Sequence, residues 1–139
     1  MSILHRNSMP EVTKFWSHIP IDMQVFEHGI EVAANKHVHA ARNFAKRHKR
    51  RIYLHCVTNH MQDSGAIRII GKSKGWLLDK KQCIGYVPAD IAEKLVRADL
   101  EDKVEVRLQR ISFNRNRSIA IRFDILGLKD DYEKYQSIS

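Results

Sequence analysis

Residues 104–126, VEVRLQRISFNRNRSIAIRFDIL, carry an apolar pattern that changes phase on only one side of a predicted hairpin. Apolar residues occupy every second position over 104–108, and the alternation then slips by one residue before it resumes at Ile111. The partner segment, 119–125, keeps its alternation throughout. A slip on one strand alone is what a β-bulge produces, because a bulge inserts one extra residue opposite a regular strand. The stretch therefore predicts an antiparallel hairpin with one apolar face.

The tip of this hairpin falls on three polar residues, Asn114, Arg115 and Asn116. Three-residue loops place their last residue in the left-handed region, which Asn tolerates, so Asn116 is expected at positive φ. A bulge near Gln109 and Arg110 then lets the apolar residues share one face. The resulting pairs are Ile111–Ile119, Leu108–Ile121 and Val106–Phe123.

The remaining elements are short strands and two helices. Strands are predicted over 24–33, 51–57, 66–70 and 83–87, and helices over 36–48 and 89–99. Gly29 marks a bulge or a close backbone approach, and Asn35 is expected to cap the first helix. The segment KRHKRR is placed at the end of that helix, because cations are favoured near the negative end of a helix dipole. Residues 71–82, with four lysines, are interpreted as an irregular or hairpin excursion.

The order of elements, β then α then mostly β, predicts a mainly β, α+β fold. We expect a small OB-like or SH3-like β-barrel of about six strands with two helices. Residues 23–128 form this domain, residues 1–22 an N-terminal arm and residues 129–139 a peripheral acidic tail. Pro10 and Glu11 favour a short helix within the arm. The large aromatic side chains of Phe15 and Trp16 predict that the arm docks on the domain.

Composition limits the classes of function. The chain has 139 residues, enough for one domain whose core needs no disulfides. Cys56 and Cys83 each lie in an apolar run and match no zinc or redox motif, so both are expected buried, reduced and metal-free, as suits the cytoplasm. No apolar stretch is long enough to span a bilayer, and the N-terminus has no signal-peptide core. The formal net charge of +8 favours polyanions, with a merely solvated basic surface as the alternative.

No catalytic or cofactor motif is present. The sequence contains no HExxH, GxSxG, P-loop or GxGxxG pattern. Its eight histidines do not fall at a recognised metal-ligand spacing, and Asp63 has no second carboxylate near it in sequence. We therefore expect no enzymatic activity, no metal and no cofactor.

Basic segments and aromatic rings are the candidate binding residues. Cations cluster at residues 46–51, which include Lys49, Arg50 and Arg51, and again at the hairpin tip, with Arg115 and Arg117. Near exposed rings such clusters form a groove for single-stranded nucleic acid, where backbone charge and base stacking combine. The candidate rings are Tyr86, Tyr53 and Trp76, and core packing is the alternative role of each.

Two segments together resemble the HIRAN domain family: RIYLHCVTNHMQDSGAIRI, residues 51–69, and QCIGYVPADIAEKL, residues 82–95. The first carries the family's loop pattern of an Asn followed by aromatic-Asp-x-x-Ala-Ile, and the second its Ile-Gly-Tyr-x-Pro strand end and following helix. The matching residues are Asn59, Asp63, Ala66, Ile67, Ile84, Gly85, Tyr86, Pro88, Ala92 and Leu95. The resemblance covers about residues 24–112 and implies an OB-like barrel that binds nucleic acid.

In the family, the loop Asp accepts a hydrogen bond from the terminal 3′-hydroxyl of single-stranded DNA, which assigns that role to Asp63. Gln62 stands where the family has an aromatic residue, and Glu31 and Val32 stand where it has an Arg and an aromatic. Asp63 therefore has two candidate roles. It is either a turn carboxylate that accepts from the N–H groups of its own loop or the acceptor for the terminal hydroxyl of a strand. We expect a non-enzymatic domain that binds single-stranded DNA or DNA ends. The alternatives are docking to a protein partner or to a second copy of the chain and, less favoured, a metal-dependent nuclease.

Overall fold

The structure, a computed structural model, describes residues 11–56, 66–75, 77–114 and 118–138. Within these ranges it contains seven β-strands and three α-helices, so the mainly β, α+β class is confirmed. The strands are β1 Glu11–Lys14, β2 Met23–Glu31, β3 His48–Cys56, β4 Ile67–Lys74, β5 Lys80–Tyr86, β6 Glu105–Phe113 and β7 Ile119–Leu128. The helices are α1 Val38–Ala45, α2 Ala89–Arg97 and α3 Lys129–Gln136, and a 3-10 turn, Asn35–His37, precedes α1.

The strands form two antiparallel sheets. One has the order β1-β6-β7-β2 and the other β3-β4-β5. Within the described ranges, one isolated bridge joins residues of the two halves: the amides of Ala33 and Tyr86 each donate to the other's carbonyl at 2.9 Å. No pairing among the described strands closes the sheets into one barrel. The predicted six strands and two helices were too few, because the arm and the tail each contribute an element.

The hairpin of β6 and β7 confirms the predicted bulge. The register shifts between Leu108 and Arg110, which leaves Gln109 as the extra residue. The predicted pairs are wrong by two positions, since Leu108 pairs with Phe123 and Ile111 with Ile121. The apolar residues still share one face, because a shift of two preserves strand parity. The five that lie deepest are buried: Leu108, Ile111, Ile121, Phe123 and Ile125.

The hairpin tip begins one residue later than predicted. The amide of Asn114 donates to the carbonyl of Ser118 at 2.9 Å, and the Asn114 side-chain amide donates to the Ser118 hydroxyl at 3.0 Å. Asn114 therefore closes the ladder instead of opening the turn. The three residues between this pair, 115–117, lie outside the described residues, as does the predicted φ of Asn116.

A second bulge confirms the interpretation of Gly29. The pairing of β2 with β7 shifts between Glu27 and Ile30, and Gly29 has φ +64°. A residue with a Cβ is strained in this left-handed region, which explains glycine at the position. Both neighbours of β7 in its sheet therefore carry a bulge.

The first helix is shorter than the predicted 36–48, and it begins at Val38. Helix α1 ends at Ala45, and the chain continues as β3 from His48. The N-cap residues are Ala34 for the 3-10 turn and His37 for α1, so Asn35, at φ +48°, caps neither. The basic segment leaves the helix because its backbone pairs with β4, where Arg51 lies opposite Lys72. Pairing with β4 thus outweighs the local preference for cations at a helix end.

The arm and the tail both join the folded domain. Residues of the arm form β1, antiparallel to β6, where a helix was predicted. An edge strand offers unpaired backbone groups, and β1 satisfies those of β6. Phe15 packs against the core, whereas Trp16 is 79% exposed. The predicted peripheral tail instead forms α3, whose Tyr135 is buried.

The core lies where α1 packs between the two sheets. Phe44 of α1 is buried, and a Cβ on Gly71 of β4 would approach its ring to 2.7 Å, so glycine permits this contact. Helix α2 lies near its predicted position with Ala92 and Leu95 buried. None of the helices in the described ranges is long and apolar enough to cross a membrane.

Candidate nucleic-acid interface

A row of three cations crosses the outer face of the sheet β3-β4-β5. Arg51 of β3 lies opposite Lys72 of β4, and Lys72 lies opposite Lys81 of β5. Residues directly opposite one another in antiparallel strands project on the same face. Arg51 and Lys81 are exposed and Lys72 is half-buried. We call Arg51, Lys72 and Lys81 the cationic row.

A second pair on the same face combines a cation with an aromatic ring. Arg68 of β4 lies opposite Tyr86 of β5, and Arg68 is exposed while Tyr86 is half-buried. Arg68 and Lys72 are four residues apart on β4, about 13 Å at roughly 3.3 Å per residue, so the pair and the row lie on one face but toward opposite ends of it. This surface lies on the side of the sheet away from Phe44, whose ring contacts Gly71.

The cationic row works against the stability of its own sheet. Like charges directly opposite one another in a sheet are destabilising. One carboxylate partly offsets the repulsion, since Asp79 lies 3.7 Å from the Lys72 ammonium, but both side chains are at least a third exposed and the pair is weak. Clustering of like charge at a stability cost is typical of a binding surface.

Tyr86 is held by its surroundings. Its backbone makes the bridge to Ala33, and its ring lies 5.5 Å from the imidazole of His37, centroid to centroid. The thiol of Cys83, two strand positions from the row, lies 3.8 Å from His37 Nε2 and donates to the Gly85 carbonyl at 3.4 Å. Cys83 is a free thiol and is half-buried, not fully buried as predicted. The side chain of Cys56 lies outside the described residues.

A cationic cleft opens beside the N-terminal end of β3. Its volume is about 790 Å³. Helix α1 and the turn after it contribute the cations Arg42 and Lys46, and β3 contributes Arg50. The other described lining residues are Val12, Thr13, Ala45, Phe113 and Asn114. We call this concavity the cationic cleft.

Arg50 is fixed in the cleft by contacts on two sides. One terminal nitrogen, Nη1, donates to the Ala45 carbonyl, and the guanidinium carbon lies 5.1 Å from the centre of the Phe15 ring. Partial burial lowers the pKa of Arg50 from its usual value. Its Nε is buried and has no hydrogen-bond partner among the described atoms. Arg50 therefore retains an unsatisfied donor.

The structure separates two residues that the sequence grouped together. Arg50 faces the cleft, whereas Arg51 projects from the outer sheet face beside Lys72. Tyr86 joins Arg51 on that face, although it lies toward the other end of the sheet. The predicted residues Asn59, Asp63, Arg115 and Arg117, and the side chain of Lys49, lie outside the described residues. The rings of Tyr53 and Trp76 do so as well.

Some residues of these two surfaces were missed as site residues. Arg68 lies between the buried residues Ile67 and Ile69, so strand alternation already indicated that it points outward. Arg42 and Lys46 are four residues apart, a spacing that places side chains on one side of a helix. Lys72 and Lys81 were noted as basic residues, but only the strand register brings them together with Arg51.

A buried carboxylate organises the other sheet. Asp124 of β7 is fully buried and accepts from the Gly29 amide at 2.9 Å and from Arg107 Nε at 2.9 Å. His28 Nδ1 lies 3.0 Å from the same carboxylate, and Arg107 also donates to the Ser17 carbonyl at 2.8 Å. The carboxylate thus fixes the bulge of β2, strand β6 and the segment after β1 to one point.

In the described ranges, no three His, Cys, Asp or Glu side chains lie close enough together to hold a metal ion. Compared with protein-family models, with curated proteins and with solved structures, the chain gives no significant match. The two cationic surfaces are the features of the described residues that indicate a function.

Proposed function

We propose that the chain is a non-enzymatic, HIRAN-like domain that binds single-stranded nucleic acid, with DNA as the expected ligand, on the outer face of β3-β4-β5. The observation that carries the proposal is the cationic row beside Arg68 and Tyr86. Cations that neutralise phosphates release counterions, and an aromatic ring stacks on a base of any sequence. These two contributions give affinity without sequence preference.

The proposal extends to the finer fold and to location. Two antiparallel sheets that meet at Ala33 and Tyr86 support an open, strongly bent relative of the OB-like barrel. Barrels of that kind bind oligonucleotides on a sheet face. A cytoplasmic location belongs to the same proposal and accords with the free thiol of Cys83.

Salt dependence of binding is the decisive test. Fluorescence anisotropy with a labelled dT15 oligonucleotide is measured from 25 to 300 mM NaCl, a range chosen to cover roughly a decade of salt. The triple variant Arg51→Gln, Lys72→Gln, Lys81→Gln should lower the log–log salt slope by about 2, since each single-strand phosphate contact contributes about 0.7. The matched control, Lys103→Gln with Lys129→Gln and Lys134→Gln, removes the same charge from outside this face and should retain the slope.

Tyr86 separates stacking from charge. Tyr86→Ala should weaken binding by about 1–3 kcal/mol without changing the salt slope, whereas Tyr86→Phe, which keeps the ring, should bind nearly as well as the parent. Equal affinity of the alanine variant and the parent would remove stacking from the proposal. Arg50→Ala combined with Arg51→Ala should weaken binding to all sequences and flatten the salt slope.

End capture through Asp63 is a separate prediction. Asp63→Asn should have a small effect, confined to oligonucleotides with a free 3′-hydroxyl. The residues at the family's Arg and aromatic positions do not supply an equivalent pocket: Glu31 is 3.5 Å from Arg122, and Val32 is buried. A large loss that a blocked 3′ end abolishes would establish end capture.

A protein-interaction module is the second candidate. Large apolar side chains stand exposed at Trp16, Leu77 and Leu78, each at least 79% accessible. Such side chains are typical of docking surfaces when they are contiguous. No detectable oligonucleotide binding even at 25 mM NaCl, a condition under which phosphate contacts are strong, would favour this candidate.

A further inference from the structure

The cationic cleft differs from the sheet face in shape and in the groups that line it. The sheet presents its cations on an open surface, whereas Arg42, Lys46 and Arg50 line a concavity of about 790 Å³. That volume lies within the range of small-molecule sites, about 300–1,000 Å³. No carboxylate occurs in the described lining. The cleft is therefore suited to a compact anion.

Charge favours a phosphomonoester over a phosphodiester in this cleft. A diester within a strand carries a single negative charge, while a monoester carries about −1.5 to −2 near neutral pH because its second pKa is about 6. The guanidinium of Arg50 lines the cleft and is positioned by the Ala45 carbonyl and the Phe15 ring, so its positive charge is already in place for a phosphate. Lys46 is exposed at the rim and can reach the same anion as a mobile charge.

The rest of the described lining is uncharged. It consists of Val12, Thr13, Ala45, Phe113 and Asn114. Phe113 is half-buried, so one part of its ring remains accessible. A cleft that combines cations with an aromatic residue matches a ligand with a phosphate at one end and a flat base at the other.

We propose that the cationic cleft binds the phosphomonoester group of a nucleotide, with Lys46 and Arg50 on the phosphate and Phe113 against the base. The same chemistry occurs in a free nucleoside monophosphate and at the 5′-phosphorylated end of a strand. Only the strand-end source rests on the proposed nucleic-acid function. The free-nucleotide source stands independently of it.

Calorimetric titration of the full chain with thymidine 5′-monophosphate and with thymidine tests the site. The monophosphate should bind, and thymidine should bind at least about ten-fold more weakly, as loss of charge-assisted contacts predicts. Lys46→Glu should weaken monophosphate binding about ten-fold or more, because it places a like charge at the rim. Lys103→Glu, at an exposed lysine outside both cationic surfaces, is the matched control and should leave it unchanged.

Two further readouts distinguish a built site from general attraction. Affinity for the monophosphate should fall between pH 7.5 and pH 5.5, since the ligand loses its second charge near pH 6. Phe113→Leu should weaken monophosphate binding several-fold but leave the binding of inorganic phosphate unchanged. Equal binding of thymidine and its monophosphate, or unchanged affinity in a folded Lys46→Glu variant, would overturn the proposal.

Oligonucleotides then decide between the two sources. A dT10 strand with a 5′-phosphate should bind more tightly than the same strand with a 5′-hydroxyl, and Lys46→Glu should abolish the difference. Binding of the free monophosphate without binding of either strand would retain the cleft and refute the nucleic-acid proposal. Binding of both strands with no effect of the 5′-phosphate would refute the strand-end source. Failure of the monophosphate to bind would refute the cleft proposal and leave the sheet-face proposal intact.

Discussion

Both sheets of this domain align cations across their strands, but among the described residues only β1-β6-β7-β2 also buries a carboxylate. In that sheet Lys14, Arg110 and Arg122 lie opposite one another, and Asp124 is fully buried with donors from Gly29, Arg107 and His28. In β3-β4-β5 the aligned cations are Arg51, Lys72 and Lys81, and the carboxylate next to Lys72, Asp79, is on the surface. The first arrangement fixes the backbone, and the second leaves positive charge available to a ligand.

The difference shows how function can be located when the charge of the whole chain is uninformative. A net charge of +8 does not distinguish a binding surface from a solvated one. A buried carboxylate with several donors is explained by the fold. Like charges placed opposite one another, which occur in both sheets, are not. Substitutions in the two sheets should therefore differ in what they change, stability or binding.

The largest effect should come from the buried carboxylate. Asp124→Ala should lower the free energy of unfolding by about 3 kcal/mol, because it leaves Arg107 and the Gly29 amide without their acceptor. Asp79→Ala, the surface counterpart, should change it by less than about 0.5 kcal/mol. Urea unfolding of both variants provides the measurement. Similar losses in the two variants would mean that the sheets do not differ in this respect.

A second effect concerns the hydroxyl that joins α3 to β2. Tyr135 donates to Glu27 Oε2 at 2.6 Å, and burial, followed by the hydrogen bond and the charge of Glu27, raises the pKa of Tyr135. Tyr135→Phe should lower the free energy of unfolding by about 1.5 kcal/mol at pH 8. Tyr132→Phe, whose ring also packs on Phe26, is the control and should change it little.

The pH dependence of this contact follows from the direction of the shift. The unfolded state releases the tyrosine proton above about pH 10, while the folded state retains it, so the folded state binds more protons there. The stabilisation is therefore complete below pH 10 and declines as pH rises above it. The difference between the parent and Tyr135→Phe should accordingly shrink between pH 9 and pH 11 in urea unfolding. A difference that grew with pH would contradict this assignment.

Substitution at the bulge of β2 should lower stability less than the substitutions at Asp124 and Tyr135. Gly29→Ala should lower the free energy of unfolding by about 1 kcal/mol, because an L-residue is strained at φ +64°. The added Cβ meets only the side chain of Gln109, at 3.6 Å or more, so steric overlap contributes little. Thermal unfolding by circular dichroism measures the loss. A loss above about 3 kcal/mol would point to overpacking instead of backbone strain.

The smallest effect should have the opposite sign. Lys81→Gln removes a like charge from the cationic row and should raise the free energy of unfolding by a few tenths of a kcal/mol. The same variant should bind single-stranded DNA more weakly. A gain of stability with a loss of binding is the behaviour of a site maintained for its ligand. A Lys81→Gln variant that lost stability would instead make this lysine a structural residue.

The bulge in β6 was predictable because it is local: the apolar phase changes within one strand and not within its partner. The register between β6 and β7 was not predictable, because Asn114 can either open a turn or close a ladder. Its contact with Ser118 decides between these roles. Residues 48–51 were assigned to a helix end for the same kind of reason. Local propensity favours the helix, but the backbone of this segment pairs with β4.

The site was only partly accessible to sequence reasoning. Arg51 and Tyr86 were identified from charge and from a motif, but their neighbours on the face depend on strand register, which connects residues far apart in the chain. Asp124 lies at an outward position of an alternating strand, and the pattern predicts exposure there. It is buried because the segment after β1 passes over it, held by Arg107 and the Ser17 carbonyl.

Amide hydrogen exchange gives the bridge between Ala33 and Tyr86 a measurable consequence. The two amides protect each other across the junction of the halves, so their exchange with deuterium reports separation of the sheets before either sheet unfolds. A base stacked on the Tyr86 ring would restrain that strand end and slow exchange at Ala33, a residue outside the cationic row. Ligand binding on one sheet would thereby be detected as kinetic protection just after the end of β2, a strand of the other sheet.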